Sequence, residues 1–399
     1  MNVVKLRSVV GGWRRMLAAG VVLGVCVLAP AAALGGSGVD VATPLSARVL
    51  NAPNPVLGAD NRMHLAYELE LSDLFPVSVT VRSVQALANG QAIGARVSGA
   101  RLLSELRIDS GAPGTTIPAG GGAIVFMDVT YPRGRKPPAR ITHRFSIGYR
   151  IPGSSTTTRV AFVGVPTGVG QRPAIRIAPP LRGAGWIVVN GCCATITSHR
   201  GAIEPINGTP YVPERFAIDF VQLNGQGRLF EGPSDQLSSY AYFGDPVYSV
   251  ANGTVVGTYD GEPEQVPGQG PPPSTVTVQN AGGNYIVIKI ARGEYAFYAH
   301  LQPGSLSVKI GQRVRTGQVI ARLGDTGNAT APHLHFHVMS SPSPLRSNGL
   351  PYVLSALRAQ GFLANGDATL AGQPASIQPR LAGTHRGQLP LNNEVLDFG

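Results

Sequence analysis

Cysteine is nearly missing from this sequence, with three in 399 residues. Cys26 lies in an apolar N-terminal run, which leaves only the adjacent Cys192 and Cys193, so a scaffold stapled by disulfides is excluded. Neighbouring α-carbons lie about 3.8 Å apart, below the usual disulfide span, and a bond between these two would close a strained ring. Free or metal-bound thiols therefore stay open as readings. A block of one charge is missing as well. The formal net charge of +11 is spread along the chain. No zinc-finger spacing, arginine-rich arm or basic–aromatic stripe accompanies it, so nucleic acid is not an expected partner. Such a surface steers anionic partners inward, acidic cell-envelope polymers first among them for an exported chain, unless the charge serves solubility alone.

The N-terminal segment 1–35 reads as a signal peptide or an N-terminal anchor. Lys5, Arg7, Arg14 and Arg15 lead into an Ala/Val/Leu-rich run that closes on small residues near Ala31–Ala33. The run is close to the lower length limit of a membrane span, so an uncleaved anchor is the alternative to a cleaved signal. Cys26 follows Val25 rather than a small residue, which speaks against lipid attachment. Either reading makes the chain an exported one, periplasmic or extracellular and associated with the envelope. Membrane contact is then made only through an uncleaved N-terminal segment.

The length suits about two domains. Helical periodicity is absent from 41–170. Short extended runs at 63–70, 77–86, 123–130, 142–151 and 159–163 alternate with turn material at 111–122 and 131–138, the pattern of a β-sandwich-like, non-catalytic domain. His64 and His143 stand alone there and read as structural. A linker containing Pro and Gly, 171–185, leads to a second all-β domain at 186–354, with extended runs at 216–222, 247–250, 253–257, 274–279, 285–289, 295–300, 313–321 and 334–339. Residues 260–274 hold three consecutive prolines and form a surface loop placed to shape a groove. One short helix is expected at 352–360. The end of the chain, 355–399, reads as an extended or mobile C-terminal tail in which His385 has no role.

His333, His335 and His337 occupy alternate positions. Side chains two apart on a strand share a face, so three imidazoles can point one way while Leu334, Phe336 and Val338 enter an apolar layer. That is a candidate metal and acid–base platform. Upstream, Gly311-Gln312 and Gly317-Gln318 mark tight corners between short strands. Carrier domains for biotin or a lipoyl group use similar corners, but no Met-Lys-Met-like attachment turn is present, and the histidine strand would go unexplained.

Five blocks stand in order: Arg215-Phe216-Ala217-Ile218-Asp219; Gly244-Asp245-Pro246-Val247-Tyr248 with Asn252-Gly253-Thr254-Val255-Val256; Tyr298-Ala299-His300-Leu301; the paired Gly-Gln corners; and Gly324-Asp325-Thr326-Gly327-Asn328-Ala329-Thr330 leading into His333-Leu334-His335-Phe336. Through them the sequence resembles the lysostaphin-type zinc metallopeptidases of bacterial cell-wall turnover over about 185–339. The resemblance implies an all-β fold, with a two-sheet β catalytic core of the duplicated hybrid motif type behind a non-catalytic module. It also implies one Zn²⁺ ion, Asp219 and His335 as metal ligands, and His300 and His333 as unliganded catalytic histidines. The implied activity is that of a metalloendopeptidase on peptidoglycan or another peptide substrate.

One position departs from the pattern. The family usually has a histidine four residues before the ligand aspartate, and Arg215 stands there. Strand parity turns Arg215 toward the metal side, yet a guanidinium stays protonated and donates no electron pair to zinc. His199 is the expected substitute ligand, being the one histidine of this domain used neither by the matched motifs nor by the 333–337 strand. His337 is the second choice. It lies about 6.6 Å from His335 between α-carbons, so both reach one ion only by bending, and hydrogen bonding to a ligand suits it better. Cys192 or Cys193 as the missing ligand shares the remainder with a site that holds no metal at all. The departure keeps a second function open: a catalytically impaired module for wall binding or amidase activation.

Overall fold

The computed structural model describes residues 40–194 and 196–399. The segment expected as signal or anchor, 1–35, lies outside them. Among the described residues no helix is long and apolar enough to cross a membrane.

Strands β1 (Leu45–Val49), β2 (Arg62–Asp73), β3 (Val79–Ala88), β4 (Leu106–Ile108), β5 (Gly122–Pro132), β6 (Arg140–Tyr149) and β7 (Thr158–Gly168) form two antiparallel sheets, ordered β1-β2-β5-β4 and β7-β6-β3. Leu65, Tyr67 and Leu69 of β2, Val125 and Met127 of β5, Val81 and Val84 of β3, and Phe145 and Ile147 of β6 share one core. The first half is thus a β-sandwich. It contains one helix missed by the sequence reading, α1 (Gly99–Glu105), whose seven residues bury only Leu102 and Glu105 and so show no legible period. Alternation along β2 turns His64, Ala66 and Glu68 away from the sandwich. Ala66 and the nearby Val56 join the core of the second half, so the two halves share a buried boundary.

In the second half, β8 (Gly183–Val189), β9 (Ile218–Gln222), β10 (Gly253–Tyr259), β11 (Asn284–Ala291), β12 (Glu294–Leu301), β13 (Leu334–Met339), β14 (Leu357–Leu363) and β15 (Glu394–Phe398) run in the order β10-β11-β12-β13-β9-β8-β15-β14 within one twelve-stranded sheet. A separate pair joins Pro246–Tyr248 to Val319–Arg322. The Gly-Gln corners lie between these strands. Gly311 and Gly317 take φ of 87° and 77°, and the Gln312 and Gln318 side chains accept the backbone N–H of Lys309 and Arg315 at 3.2 and 3.1 Å.

Two local expectations fail here. The helix expected at 352–360 is instead strand Tyr352–Leu354 followed by β14. The expected tail supplies β14 and β15. Leu357 and Ala359 are buried while Arg358 between them is exposed, the period of a strand and not of a helix. Val395, Leu396 and Phe398 reach the core. Few apolar anchors suffice because the free edge of β8 supplies ladder hydrogen bonds to β15.

Candidate metal centre

β13 lies in the middle of the sheet, between β9 and β12. The register sets His335 opposite Asp219 on one side and Ala299 on the other, and His337 opposite Phe297. Leu334, Phe336 and Val338 are fully buried in the core, so parity leaves His335 and His337 on the opposite face with His333 just before the strand. β8 delivers the remaining member. It pairs with β9 so that Val189 faces Asp219, and the chain turns out at Asn190 toward the short helix α2 (Ser198–Gly201). Thr197 caps α2, its hydroxyl accepting from the Arg200 N–H at 3.2 Å and donating to the Asn190 carbonyl at 2.9 Å. This return of the chain carries His199 to Asp219.

Asp219 Oδ1 lies 3.2 Å from His199 Nε2, 3.0 Å from His335 Nδ1 and 3.4 Å from His333 Nε2. Asn190 Nδ2 donates to the other oxygen at 2.8 Å. Donor atoms of His199, Asp219 and His335 all lie within 4.8 Å of one another, and the three residues are buried. The set fits a cation. Three imidazole nitrogens crowd one carboxylate oxygen, and among the described residues His199 Nδ1 has no hydrogen-bond partner. His335 turns Nδ1 to Asp219 and Nε2 to His337 Nδ1 at 2.9 Å, the arrangement of metal-binding histidines whose far nitrogen is held by a neighbour.

Electrostatics divide the histidines. Burial opposes a charge on His199, but Asp219 outweighs it and lifts the imidazole from 6.5 to about 9. His333 is raised by the same balance of burial against Asp219. Burial also opposes the Asp219 charge, yet His199 and His333 hold that carboxyl well below the usual carboxylate range. His300 and His337 go the other way, since burial and then the neighbouring histidines push both well below 6.5.

His300 stands near the end of β12 with φ 59°, a left-handed conformation rare for a histidine and common at functional positions. Its Nδ1 donates to the Thr326 carbonyl at 2.6 Å. Glycines allow that contact: a Cβ on Gly283 would meet the Thr326 oxygen at 2.2 Å, and one on Gly327 would meet the Gly283 nitrogen at 2.2 Å. His333 Nδ1 donates to the Ala331 carbonyl at 2.8 Å. The two rings lie 4.6 Å apart, and in their neutral forms both keep the Nε2 lone pair free. His199, His300, His333, His335 and His337 all line one cleft of about 700 Å³.

Arg215 does not join them. β9 begins at Ile218 and residues 214–216 form a turn, so strand parity does not extend back to Arg215. Its guanidinium pairs instead with Glu68 of the sandwich and donates to the Asn51 carbonyl at 3.3 Å. Cys192 and Cys193 supply no ligand here either. They are bonded to each other with α-carbons 3.1 Å apart, closer than the spacing that argued against this bond. Cys193 also lies near His64 and Asp128, a second group with metal-type donors. There, however, His64 hydrogen-bonds Asp128 through Nδ1 at 3.0 Å and Asp60 through Nε2 at 3.1 Å. Burial opposes its charge, but the two carboxylates raise it from 6.5 to about 10, leaving an imidazolium without a lone pair. His143 sits between the Tyr67 hydroxyl at 2.8 Å and the Val165 carbonyl at 3.1 Å.

Sequence reading missed three contributors. Asn190 orients Asp219, and its Asn-Gly step at φ 58° was a turn signal that could have flagged it. Glu214 lies 3.8 Å from His335 Nε2, and Glu68 holds Arg215; nothing local marks either.

Residues 237–347 match Peptidase family M23. The peptidoglycan DD-endopeptidase ShyB of Vibrio cholerae is 39% identical over 125 residues, which cover 30% of this chain and 25% of that protein. The glycyl-glycine endopeptidase ALE-1 of Staphylococcus capitis is 38% identical over 78 residues, 19% of this chain and 21% of that protein. The match therefore spans about a quarter or less of the length of these relatives. Among solved structures, the catalytic domain of lysostaphin from Staphylococcus simulans aligns at 24% identity and a TM-score of 0.22, covering 43% of this chain and 88% of that one. The family match holds His300, His333, His335 and His337 and begins after Asp219 and His199. In the segment that supplies this side of the cleft, the chain is similar to the M23 peptidases, a family of bacterial cell-wall peptidases.

Proposed function

We propose that this chain is an exported, zinc-dependent endopeptidase that hydrolyses peptide bonds in peptidoglycan, with its catalytic domain running from about 183 through β15 and 41–170 as a non-catalytic one. The observation that carries the reading is the convergence of His199, Asp219 and His335 on one point inside a cleft. These three would hold the ion. Bound zinc supplies Lewis acidity, bringing the pKa of a water toward ~7 and polarising a carbonyl. His337 would orient His335 as its hydrogen-bond partner.

The chain's own groups then handle the protons. His300, kept neutral by burial and tied at Nδ1, offers Nε2 as an acceptor that can orient the attacking water. His333, whose charge Asp219 supports, suits the transfer of a proton to the leaving amine. Relatives named as peptidoglycan and glycyl-glycine endopeptidases support the substrate class, and the net charge of +11 suits an anionic wall.

The test is metal content of the purified protein together with release of soluble peptide fragments from peptidoglycan. Wild type is expected to carry one zinc. His333→Ala should keep that zinc while losing roughly 10²- to 10⁴-fold in rate. Wall binding without zinc and without fragment release, unchanged in His333→Ala, would instead identify the impaired module that the departure at Arg215 raised.

A further inference from the structure

The centre is built on strands of the second half, yet two points beside it are held by a residue of the first. Glu68 on β2 is fully buried and takes hydrogen bonds from two guanidinium groups that are each 1% exposed. Arg200 Nη1 reaches it at 2.5 Å, and Arg215 Nε spans both of its oxygens at 3.2 and 3.1 Å. Burial opposes the Glu68 charge, and Arg215 and Arg200 outweigh it, holding the carboxyl below its ordinary range. Arg200 is tied further, donating from Nε to the Cys193 carbonyl at 3.2 Å and from Nη2 to the Met127 carbonyl of β5 at 3.3 Å.

Both arginines are next to the centre in sequence. Arg200 follows His199 on the short helix α2. Arg215 follows Glu214, which lies 3.8 Å from His335, and sits within the turn that leads into β9 and Asp219. A four-residue helix cannot hold its own geometry, since nucleation costs more than one turn returns. The orientation of His199 therefore depends on what fixes Arg200. Burying three charges at a boundary is expensive compared with apolar packing of the same volume, but it fixes direction, because each guanidinium presents its donors in a rigid fork.

We propose that Glu68 is a positioning residue for the metal centre: by clamping Arg200 and Arg215 it sets His199 against Asp219, so the sandwich is a working part of the centre. Arg215 thus serves as an anchor at the place where a ligand was expected, while His199, beside the second anchor, takes up the ligand position. The inference rests on the zinc reading above for its affinity readout and on geometry alone for its second.

The experiment uses the whole protein with Glu68→Gln, Arg200→Lys and, as a control, Phe145→Leu in the sandwich core. Zinc affinity is measured by competition with a chromophoric chelator, and the modification rate of His199 by diethylpyrocarbonate is measured in metal-free protein by peptide mapping. Glu68→Gln is expected to weaken zinc binding roughly 10- to 100-fold and to speed His199 modification. Arg200→Lys, which keeps the charge and loses the fork, should move both readouts in the same direction. Phe145→Leu should lower the melting temperature and move neither. A folded Glu68→Gln protein with wild-type affinity and wild-type His199 protection overturns the proposal; if that variant does not fold, Arg200→Lys decides by the same two readouts. Wild type that binds no zinc sinks the zinc reading, and the modification rates still decide the positioning.

Discussion

Replacing His337 with leucine should cost metal affinity more than it costs stability. His337 accepts the His335 Nε2–H at 2.9 Å, while among the described residues its own Nε2 has no partner in a side chain that is 1% exposed. Leucine removes that orphaned donor, a gain of about 1–3 kcal/mol, but strips the buried His335 Nε2–H of its acceptor, a cost of similar size. It also removes the tilted ring contact with Phe297 at 4.9 Å, a loss of about 0.5–1.5 kcal/mol. The metal-free protein should therefore unfold at a free energy equal to that of wild type or lower by about 1 kcal/mol. His335, however, loses the group that fixes its tautomer and ring plane, and zinc affinity should fall roughly 10- to 100-fold, about 1.4–2.8 kcal/mol. Urea unfolding of the metal-free variant and a chelator competition titration read the two quantities. His337→Gln restores an acceptor and should recover part of the affinity. A leucine variant that binds zinc as wild type does would refute the assignment of His337 as the support of His335.

His199→Ala should abolish stoichiometric zinc while leaving the far-ultraviolet dichroism of the sheets intact; retained zinc would return the third ligand position to His337. Melting temperature should also depend on pH through His64. Its folded pKa is raised from 6.5 to about 10, so the stabilisation is complete below about 6.5 and is lost as pH rises through about 10. His64→Gln should flatten that alkaline slope, and an unchanged slope would show that the charge on His64 does not stabilise the fold.

What the sequence alone reveals follows the range of the forces involved. The alternation from His333 to Val338 was legible because a strand's parity is written in neighbouring residues, and the glycines at 311 and 317 were legible because tight corners have local chemistry. His199 emerged by elimination, and the structure sets it 3.2 Å from Asp219. Arg215 was misplaced because its partner, Glu68, lies 147 residues away, and no local pattern reports a buried ion pair between segments so far apart. The strands at 357–363 and 394–398 were missed for a related reason: their stability comes from the edge of β8 and from each other, while their own sequence is sparse in apolar residues.

The flank of β8 has a consequence for the timing of assembly. Trp186 and Ile187 lie opposite Leu396 and Val395, and β8 runs directly into the turn that carries Asn190 and His199. During synthesis, every histidine of the cleft leaves the ribosome before that flank can be covered. Until β15 arrives, β8 exposes unpaired backbone groups to any passing strand, and the segment leading to His199 is held on one side only. Closure of that flank, and with it of the segment leading to His199, therefore waits for β15.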